Sequence, residues 1–240
     1  MKYALVTGAT KGIGLKITQD LLDKGFFVIA NYGNSDQDAE IAKKKLFEIS
    51  NNFEIIKKDL SKPEELKNFV CDIKKTIPNL DYLILNAGTT DYSDFGEISL
   101  ENWNRVLNVN LTTPFFLTQE LKDFIRKDGK IIFIGSLLGI YPQARSVSYG
   151  VSKSAVHMLS KSLVKFFKDK KITVNSIAPG FVETAWQKSK TKCLKEKIKN
   201  KIALGRFAEV DEISKAVSFL IENSYVNGQV LSIDGGYLCE

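Results

Sequence analysis

Short apolar segments alternate with longer amphipathic segments along the 240 residues of the chain. Continuous apolar runs of about four to eight residues are typical of buried strands, whereas apolar positions three or four apart are typical of helices. Ile13, Ile17 and Leu21, for example, predict an apolar helical face soon after the first run. The predicted strands cover residues 2–7, 26–31, 53–58, 80–85, 130–134, 172–178 and 229–233.

Amphipathic segments fill the intervals between these strands. The sequence Ser61-Lys62-Pro63-Glu64 is typical of a helix start, because it combines a capping box with a proline in the first turn. The predicted helices cover residues 13–22, a Lys/Glu-rich segment up to about residue 50, a segment from residue 61, residues 100–126 and 147–168, and two segments before the last strand. This alternation predicts an α/β fold with a doubly wound parallel sheet. No proline-rich or serine-rich linker divides the chain, so residues 1–240 are expected to form one domain.

The composition is that of an ordinary globular protein, with 44% apolar and 26% charged residues and no apolar run long enough for a membrane span. The net charge of +6 suits an anionic ligand, but no helix-turn-helix or zinc-finger signature accompanies it, so no nucleic-acid partner is expected. Cys71, Cys193 and Cys239 lack metal-ligand and disulfide spacing, and no signal-peptide pattern is present. We therefore expect a cytoplasmic protein without a bound metal. A single histidine, His157, and no Gly-x-Ser-x-Gly elbow argue against a serine hydrolase and favour a buried or interfacial helix histidine.

A glycine-rich segment, Gly8-Ala9-Thr10-Lys11-Gly12-Ile13-Gly14, lies between the first predicted strand and the first predicted helix. Glycines let the backbone turn tightly and approach a diphosphate, which then lies at the helix N-terminus. The spacing Gly-x-x-x-Gly-x-Gly differs from the usual dinucleotide pattern Gly-x-Gly-x-x-Gly. A tight turn without any ligand is the alternative.

Tyr149 and Lys153 are four residues apart at the start of a predicted helix, so their side chains share one face. An ammonium beside a phenol favours the phenolate, and we therefore expect Lys153 to lower the pKa of Tyr149 toward neutrality. Such a pair is suited to general acid/base catalysis. Ser136 follows the fifth predicted strand and is expected at the carboxyl edge of the sheet, where open α/β sheets bind ligands. By itself, a Tyr–Lys pair at this spacing is also common by chance.

Taken together, the motifs resemble those of the short-chain dehydrogenase/reductase family over essentially the whole chain. The matching motifs are residues 7–14, Asn86-Ala87-Gly88, Asn110 in Asn-Val-Asn, Ser136, Tyr149-x-x-x-Lys153, Pro179-Gly180 and Asp234-Gly235-Gly236. The resemblance implies a Rossmann-type, doubly wound parallel sheet of about seven strands flanked by helices. It also implies hydride transfer between a nicotinamide cofactor and a carbonyl or an alcohol.

The resemblance assigns catalytic roles to four residues. Tyr149 would donate a proton to the carbonyl oxygen, and Ser136 would hydrogen-bond that oxygen. Lys153 would lower the Tyr149 pKa and bind the nicotinamide ribose. Asn110 would hold a water molecule that links Lys153 to solvent.

Cofactor-binding residues are implied at the same motifs. They are Gly8, Thr10, Lys11, Gly12, Ile13, Gly14, Asn31, Asp59, Leu60, Asn86, Ala87, Gly88, Tyr149, Lys153, Pro179, Gly180, Val182 and Thr184. NAD enzymes usually place a carboxylate at the end of the second strand, where it would repel a 2′-phosphate. The second strand here ends at Asn31, with no acid before Asp36, and Lys11 occupies a family position for a 2′-phosphate partner. We therefore expect NADP(H) as the cofactor.

Within the family, the chain most resembles 3-oxoacyl-(acyl-carrier-protein) reductases. It departs from their usual Gly-Gln-x-Asn-Tyr-like run, because residues 144–149 read Ala-Arg-Ser-Val-Ser-Tyr. The expected substrate is a 3-oxoacyl thioester of acyl carrier protein or CoA in fatty-acid synthesis. Another small ketone, a sugar or an alcohol is the alternative, and a non-catalytic dinucleotide-binding protein is a remote one.

A lysine-rich segment, residues 188–201, has Leu194, Ile198 and Ile202 at a helical spacing and predicts an amphipathic helix. By resemblance it belongs to a mobile lid over residues 183–208. Its lysines either attract an acidic acyl carrier protein or a CoA phosphate, or form a solvated face. The resemblance further implies a homo-oligomer, a tetramer or a dimer, formed through the helices around residues 102–126 and 147–168.

Overall fold

A computed structural model describes residues 1–142, 146–188 and 190–239 of the chain. Seven parallel strands form one sheet in the order β3-β2-β1-β4-β5-β6-β7. The strands are β1 (Tyr3–Val6), β2 (Phe27–Tyr32), β3 (Phe53–Lys57), β4 (Leu80–Leu85), β5 (Ile125–Ile134), β6 (Thr173–Pro179) and β7 (Val230–Ile233). The doubly wound parallel sheet predicted from the sequence is therefore confirmed.

Helices cover both faces of the sheet. They are α1 (Gly12–Asp23), α2 (Asp36–Phe47), α3 (Leu66–Thr76), α4 (Leu100–Leu107), α5 (Thr113–Glu120), α6 (Val147–Leu163), α7 (Lys192–Lys199) and α8 (Val210–Glu222). The helix predicted over residues 147–168 ends as a 3₁₀ turn at Val164–Phe167. The chain winds outward from β1 to β3 and then restarts at β4 on the other side of β1, so the carboxyl ends of β1 and β4 flank a topological switch point.

Two apolar cores lie on the two faces of the sheet. Val6 of β1 belongs to the core beneath α1 and α8, whereas its neighbour Leu5 belongs to the core beneath α3, α5 and α6. Successive strand residues point to opposite faces, so a strand covered on both faces must be apolar at every position. This is why the strands read as continuous apolar runs in the sequence.

The helix predicted over residues 100–126 is confirmed from Leu100 to Glu120, with a π-helical turn inside it, but its predicted end is wrong. The structure has α4, then a π-helical turn at Asn108–Thr112, then α5, and β5 begins already at Ile125. Asn110 in the π-helical turn directs its amide to Thr89, in the loop after β4, through hydrogen bonds of 2.8 and 2.9 Å. Because these contacts are long-range, the apolar periodicity of the segment does not record them.

The predicted capping box at residues 61–64 is also wrong. The backbone N–H of Ser61 donates to Oδ1 of Asp59 at 2.9 Å, and a 3₁₀ turn at Pro63–Glu65 follows. No side chain caps this turn, and α3 begins only at Leu66. The Asp59 carboxylate thus accepts from the N–H of Ser61, which in the predicted capping box would donate to the side chain of Glu64.

No helix within the described ranges is long and apolar enough to cross a membrane. The same part of the chain contains no group of three or more His, Cys, Asp or Glu side chains placed to hold a metal ion. Cys71, Cys193 and Cys239 are free and exposed. None of these cysteines therefore contributes to the core.

Ile73→Ala should destabilise the fold strongly. Ile73 on α3 is 0% exposed, so the truncation leaves a cavity and should lower the free energy of unfolding by about 2–5 kcal/mol. Ile41→Ala on α2 removes the same atoms from a side chain that is 47% exposed, and should lower it by less than about 1 kcal/mol. Urea unfolding followed by circular dichroism measures both values. Equal losses in the two variants would contradict the assignment of the core.

Candidate active site

The loop between β1 and α1 packs tightly against the end of β4. Gly8 and Gly12 have left-handed φ angles of +63° and +54°, which favour glycine. A Cβ on Gly14 would overlap the carbonyl of Gly8, and a Cβ on Gly8 would lie 2.9 Å from Cα of Ala87. At Gly12 the bare backbone faces Thr184, whose Cγ2 would lie 3.5 Å from a Cβ built there. Gly8 and Gly14 therefore allow close packing, whereas Gly12 leaves its backbone without a covering side chain of its own.

Two side chains tie the end of β4 to this loop. Nδ2 of Asn86 donates to the carbonyls of Thr7 at 2.9 Å and Gly8 at 3.0 Å. Oγ1 of Thr7 accepts from the backbone N–H groups of Asn86 and Ala87, both at 3.0 Å. These bonds hold the glycine-rich loop at the carboxyl edge of the sheet, and they occupy the donor group of the Asn86 side chain.

A cleft runs along this edge, over the carboxyl ends of the strands. It consists of a cavity of about 230 Å³ beside β5 and β6 and a more open cavity of about 550 Å³ beside β2 and β3. The predicted site residues that line only the first cavity are Gly12, Ile13, Asn86, Ser136, Tyr149, Lys153, Pro179, Gly180, Val182 and Thr184. Those that line only the second cavity are Thr10, Asn31, Asp59 and Leu60. Both cavities are lined by Gly8, Lys11, Ala87 and Gly88. Of the predicted site residues, Gly14 and Asn110 lie outside the cleft lining.

Tyr149, Lys153 and Ser136 meet at the end of β5. Tyr149 and Lys153 lie in the first two turns of α6, which packs against that strand end. The phenol of Tyr149 is hydrogen-bonded to the side chain of Ser136. Nζ of Lys153 donates to the carbonyl of Ile134 at 2.7 Å and lies 5.6 Å from the centre of the Tyr149 ring. The structure thus brings together three of the four residues expected to be catalytic.

Burial dominates the titration of this cluster. It raises the pKa of Tyr149 to about 12, and the hydrogen bond with Ser136 opposes that shift only in part. It also lowers the pKa of Lys153 to about 8. The expectation that Lys153 brings the Tyr149 pKa toward neutrality is wrong for this structure, because the ammonium is hydrogen-bonded to a backbone carbonyl and not to the phenol. At neutral pH, Tyr149 is protonated and Lys153 is predominantly charged.

Asn110 is buried on the π-helical turn, behind the cleft. Its Oδ1 accepts from the N–H of Thr89 at 2.8 Å, and its Nδ2 donates at 2.9 Å to both the carbonyl of Thr89 and Oγ of Ser152. Oγ of Ser152 donates in turn to the carbonyl of Tyr149 at 2.7 Å. Asn110 therefore links the loop after β4 to the first turn of α6, and π-helical turns are frequent at functional sites.

The second cavity combines an amide with paired charges. Nζ of Lys11 lies 2.8 Å from Oδ2 of Asp38, and this hydrogen bond holds the pKa of the Asp38 carboxyl below its usual value. Asn31 is buried, and its Nδ2 donates to the carbonyls of Ile56 at 3.3 Å and Lys58 at 3.1 Å. The end of β2 thus presents an amide anchored beside β3, and the cation of Lys11 has a carboxylate partner.

Tyr92, Arg105 and Trp186 are among the residues that line the cleft but were not predicted from the sequence. The ring of Trp186 lies 5.6 Å from the ring of Tyr149, in a 3₁₀ turn directly after Thr184. The available signal for Trp186 was its position, since it is a bulky aromatic residue two residues after Thr184, an implied cofactor contact. No local pattern marks Tyr92 or Arg105.

The lysine-rich helix is α7, which is shorter than the segment that predicted it. Ile202 is buried, and Leu194 and Ile198 are half-buried, so the predicted apolar stripe faces the protein. Residues 144 and 145 of the predicted substrate-side run lie outside the described residues, as does residue 189 of the predicted lid.

Comparisons with known proteins address the family and the fold. A family model described as short chain dehydrogenase matches residues 2–195. The 3-oxoacyl-[acyl-carrier-protein] reductase of Aquifex aeolicus is 33% identical, over 98% of this chain and 96% of its own. The 2-dehydro-3-deoxy-D-gluconate 5-dehydrogenase of Pseudoalteromonas atlantica is 32% identical, over 99% and 96% of the two chains. The structure of a blue fluorescent protein from a metagenomic library, in complex with NADPH, has a TM-score of 0.92 at 27% identity and covers 98% of this chain and 97% of its own.

Lys153→Met should change the pH dependence of stability. The folded pKa of Lys153, about 8, lies below its ordinary value of 10.5. Below about pH 8 the cost of burying the ammonium is fully present, and between about pH 8 and 10.5 the unfolded state binds more protons than the folded state. The free energy of unfolding of the wild type should therefore rise through this interval, by about 3 kcal/mol relative to K153M.

Urea unfolding of the two proteins at a series of pH values measures this difference. Lys165→Met replaces an exposed lysine and is the matched control, which should follow the wild-type curve. A K153M curve parallel to the wild-type curve would contradict the burial of the Lys153 charge.

Proposed function

The chain belongs to the short-chain dehydrogenase family of oxidoreductases, and we propose that it reduces a carbonyl group to an alcohol with NADPH. The observation that carries this proposal is the meeting of Ser136, Tyr149 and Lys153 in one cavity with the glycine-rich loop. A proton donor and a backbone cradle for a diphosphate therefore share one cleft. The nicotinamide cofactor, when bound, supplies the hydride.

Tyr149 is the proposed proton donor to the carbonyl oxygen. Its pKa of about 12 keeps the phenol protonated at neutral pH, which is the form that reduction requires. Ser136 would hydrogen-bond the same oxygen and stabilise the negative charge that develops on it. The ammonium of Lys153 would stabilise the phenolate left by proton transfer, since an opposite charge nearby favours the charged form.

Lys153 and Asn110 are proposed to support this proton transfer. Lys153 would also bind the nicotinamide ribose, and Asn110 would hold a water molecule that connects Lys153 to solvent. A Cβ built on Gly88 would lie 3.6 Å from both Oδ1 of Asn110 and Nζ of Lys153. The side chains of Asn110 and Lys153 thus both lie next to the backbone of Gly88, and this proximity supports the proposed link between them.

The glycine-rich loop fits a dinucleotide. The bare backbone at Gly12 lets a diphosphate approach the N-terminus of α1, where exposed N–H groups and the helix dipole favour an anion. We propose that Gly8, Thr10, Lys11, Ile13 and Gly14 form or support this cradle, that Pro179, Gly180, Val182 and Thr184 cover it, and that Asn31, Asp59, Leu60, Asn86, Ala87 and Gly88 meet the adenosine half.

NADPH is the proposed hydride donor in preference to NADH. Asn31, the last but one residue of β2, lies near the strand end where NAD enzymes usually carry a carboxylate, and Lys11 places an ammonium at the same cavity. Asp38 pairs with Lys11 and would repel a 2′-phosphate, so the preference rests on the balance of these two charges. The NADPH-bound structural relative supports the same choice.

The proposed substrate is a 3-oxoacyl thioester, carried by acyl carrier protein or by CoA, as an intermediate of fatty-acid synthesis. Its support is the similarity to the Aquifex reductase and the lysines of α7, which suit an acidic carrier or a CoA phosphate. The sugar-acid dehydrogenase of similar identity supports the alternative, another small ketone, sugar or alcohol. A non-catalytic dinucleotide-binding role is disfavoured, because all four residues expected to be catalytic are present.

We also propose a cytoplasmic homo-oligomer, a tetramer or a dimer. Phe116 on α5 and Val151 and Met158 on α6 are exposed apolar side chains, which supports association through these helices. Burial of such a surface in a second copy would remove it from water.

Consumption of NADPH with acetoacetyl-CoA, an acyl-carrier thioester, a diketone and a sugar tests the proposed function. We expect reduction of the thioesters. Tyr149→Phe should lower kcat by about 10²–10⁴-fold, because it removes the proton donor, and should still bind NADPH, because the glycine-rich loop and the other expected cofactor contacts remain. Tyr225→Phe removes the hydroxyl from a ring that is 98% exposed and should keep the wild-type rate. NADPH binding without oxidation by any substrate would contradict the proposal, as would wild-type turnover by Y149F.

Lys11→Ala and Asp38→Asn should shift cofactor preference in opposite directions. Loss of the ammonium should raise the KM for NADPH about tenfold, the effect of roughly 1–2 kcal/mol for one charge-assisted hydrogen bond, and should leave the KM for NADH unchanged within about twofold. Loss of the carboxylate should lower the KM for NADPH. Initial rates with both cofactors measure the two changes. A K11A variant that weakens both cofactors equally, or a wild type that is faster with NADH, would refute NADPH preference.

A further inference from the structure

His157 continues the stripe of α6 that carries Tyr149 and Lys153, because the three residues follow at intervals of four. All three side chains reach the segment where β5 ends. Tyr149 bonds the side chain of Ser136, Lys153 donates to the carbonyl of Ile134, and Nε2 of His157 lies 2.9 Å from the carbonyl oxygen of Ser136. Three successive turns of one helix are therefore attached to two residues, Ile134 at the end of β5 and Ser136 just beyond it.

We propose that His157 is a positioning residue that holds Ser136 in place against Tyr149. The proposal rests on the proposed function, in which Ser136 and Tyr149 bind the same carbonyl oxygen. His157 makes no contact with that oxygen itself. It acts through the backbone of Ser136, which it fastens to the helix that presents the proton donor.

The hydrogen bonds of the imidazole define its tautomer. A carbonyl oxygen can only accept, so Nε2 carries the hydrogen that is donated to Ser136. Nδ1 therefore carries no hydrogen and lies as an acceptor 2.9 Å from Oγ of Ser176, which is fully buried on β6 and has the carbonyl of Phe133 at 3.3 Å as its second acceptor. Burial, together with the nearby ammonium groups of Lys153 and Lys161, lowers the pKa of His157, so the ring is neutral at neutral pH. Both edges of a ring that is 6% exposed are thereby held.

The chain around Ser136 leaves space for this ring. A Cβ on Gly135 would overlap the imidazole, and a Cβ on Gly139 would lie 2.8 Å from Cδ2 of His157. The backbone on both sides of Ser136 is therefore in contact with the ring. A displaced or missing ring would leave a gap beneath the turn that carries Ser136.

The remaining contacts of Ser136 are local to its own turn. Its Oγ accepts from the N–H of Leu138 at 3.1 Å, and its carbonyl accepts from the N–H of Gly139 at 2.9 Å. These bonds shape the turn but do not connect its backbone to α6. Oγ of Ser154 on α6 donates to the carbonyl of Gly139 at the far end of the turn, whereas His157 connects α6 to the backbone of Ser136 itself. A displacement of about 1 Å in a catalytic group is enough to cost about 10²-fold in rate.

Kinetics of four variants test the proposal. His157→Leu removes the donor, His157→Asn shortens it, His157→Gln keeps an N–H that can reach Ser136, and Ser176→Ala removes the partner that orients the ring. We expect H157L and H157N to lower kcat about 10–100-fold, S176A about threefold or more, and H157Q to recover to within about fivefold of the wild type. The KM for the carbonyl substrate and the Kd for NADPH should change less than about twofold, since neither ligand touches His157 in the proposed mechanism. Circular dichroism at the assay temperature identifies the folded variants.

Three results would overturn the proposal while leaving the proposed function intact. They are a folded H157L with the wild-type kcat, equal losses of kcat in H157N and H157Q, and losses of kcat that are matched by losses of NADPH affinity. If H157L does not fold, the comparison of H157N with H157Q and the S176A measurement carry the test. A wild type that reduces no carbonyl compound would overturn the proposed function and this proposal together.

Discussion

The hydrogen bond from Nζ of Lys153 to the carbonyl of Ile134 is the contact on which the candidate site depends. It fixes α6 to the last residue of β5, and α6 carries Tyr149. A buried ammonium is unfavourable, and a carbonyl at 2.7 Å is the partner that makes its burial tolerable. With the helix held there, the phenol of Tyr149 meets Ser136, the second residue beyond the strand.

A second anchor places the glycine-rich loop in the same cleft. The amide of Asn86 holds the carbonyls of Thr7 and Gly8, so the ends of β1 and β4 meet at the switch point of the sheet. The parallel order then puts β5 next to β4, and the Ser136–Tyr149 pair lies beside the loop. The geometry of this edge combines a bare backbone cradle with a protonated phenol, and that combination suits reduction of a carbonyl.

Much of the fold could be predicted from the sequence, because strands buried on both faces read as apolar runs and the helices between them show a clear period. The failures occur where hydrogen bonds outside the expected motif take its donors, locally at Ser61, whose N–H donates to Asp59, and over a longer range at Asn110. Asn110 lies in the π-helical turn between α4 and α5 and bonds to Thr89, 21 residues earlier in the chain. The spacing of Tyr149 and Lys153 predicted that their side chains are close, but not that the ammonium of Lys153 donates to the backbone carbonyl of Ile134. Trp186 lay next to an expected site residue, and its position over Tyr149 emerges only from the folded chain.

In the proposed reaction, hydride moves from the cofactor to a carbonyl carbon while Tyr149 protonates the oxygen. Mass spectrometry of the alcohol formed from a 3-oxoacyl thioester with NADPH stereospecifically deuterated at C4 tests it most directly. We expect one C4 epimer of the deuterated cofactor to deliver a single deuterium to the new carbinol carbon and the other to deliver none. Alcohol formed without deuterium from either epimer, or oxidation of NADPH without any alcohol, would contradict it.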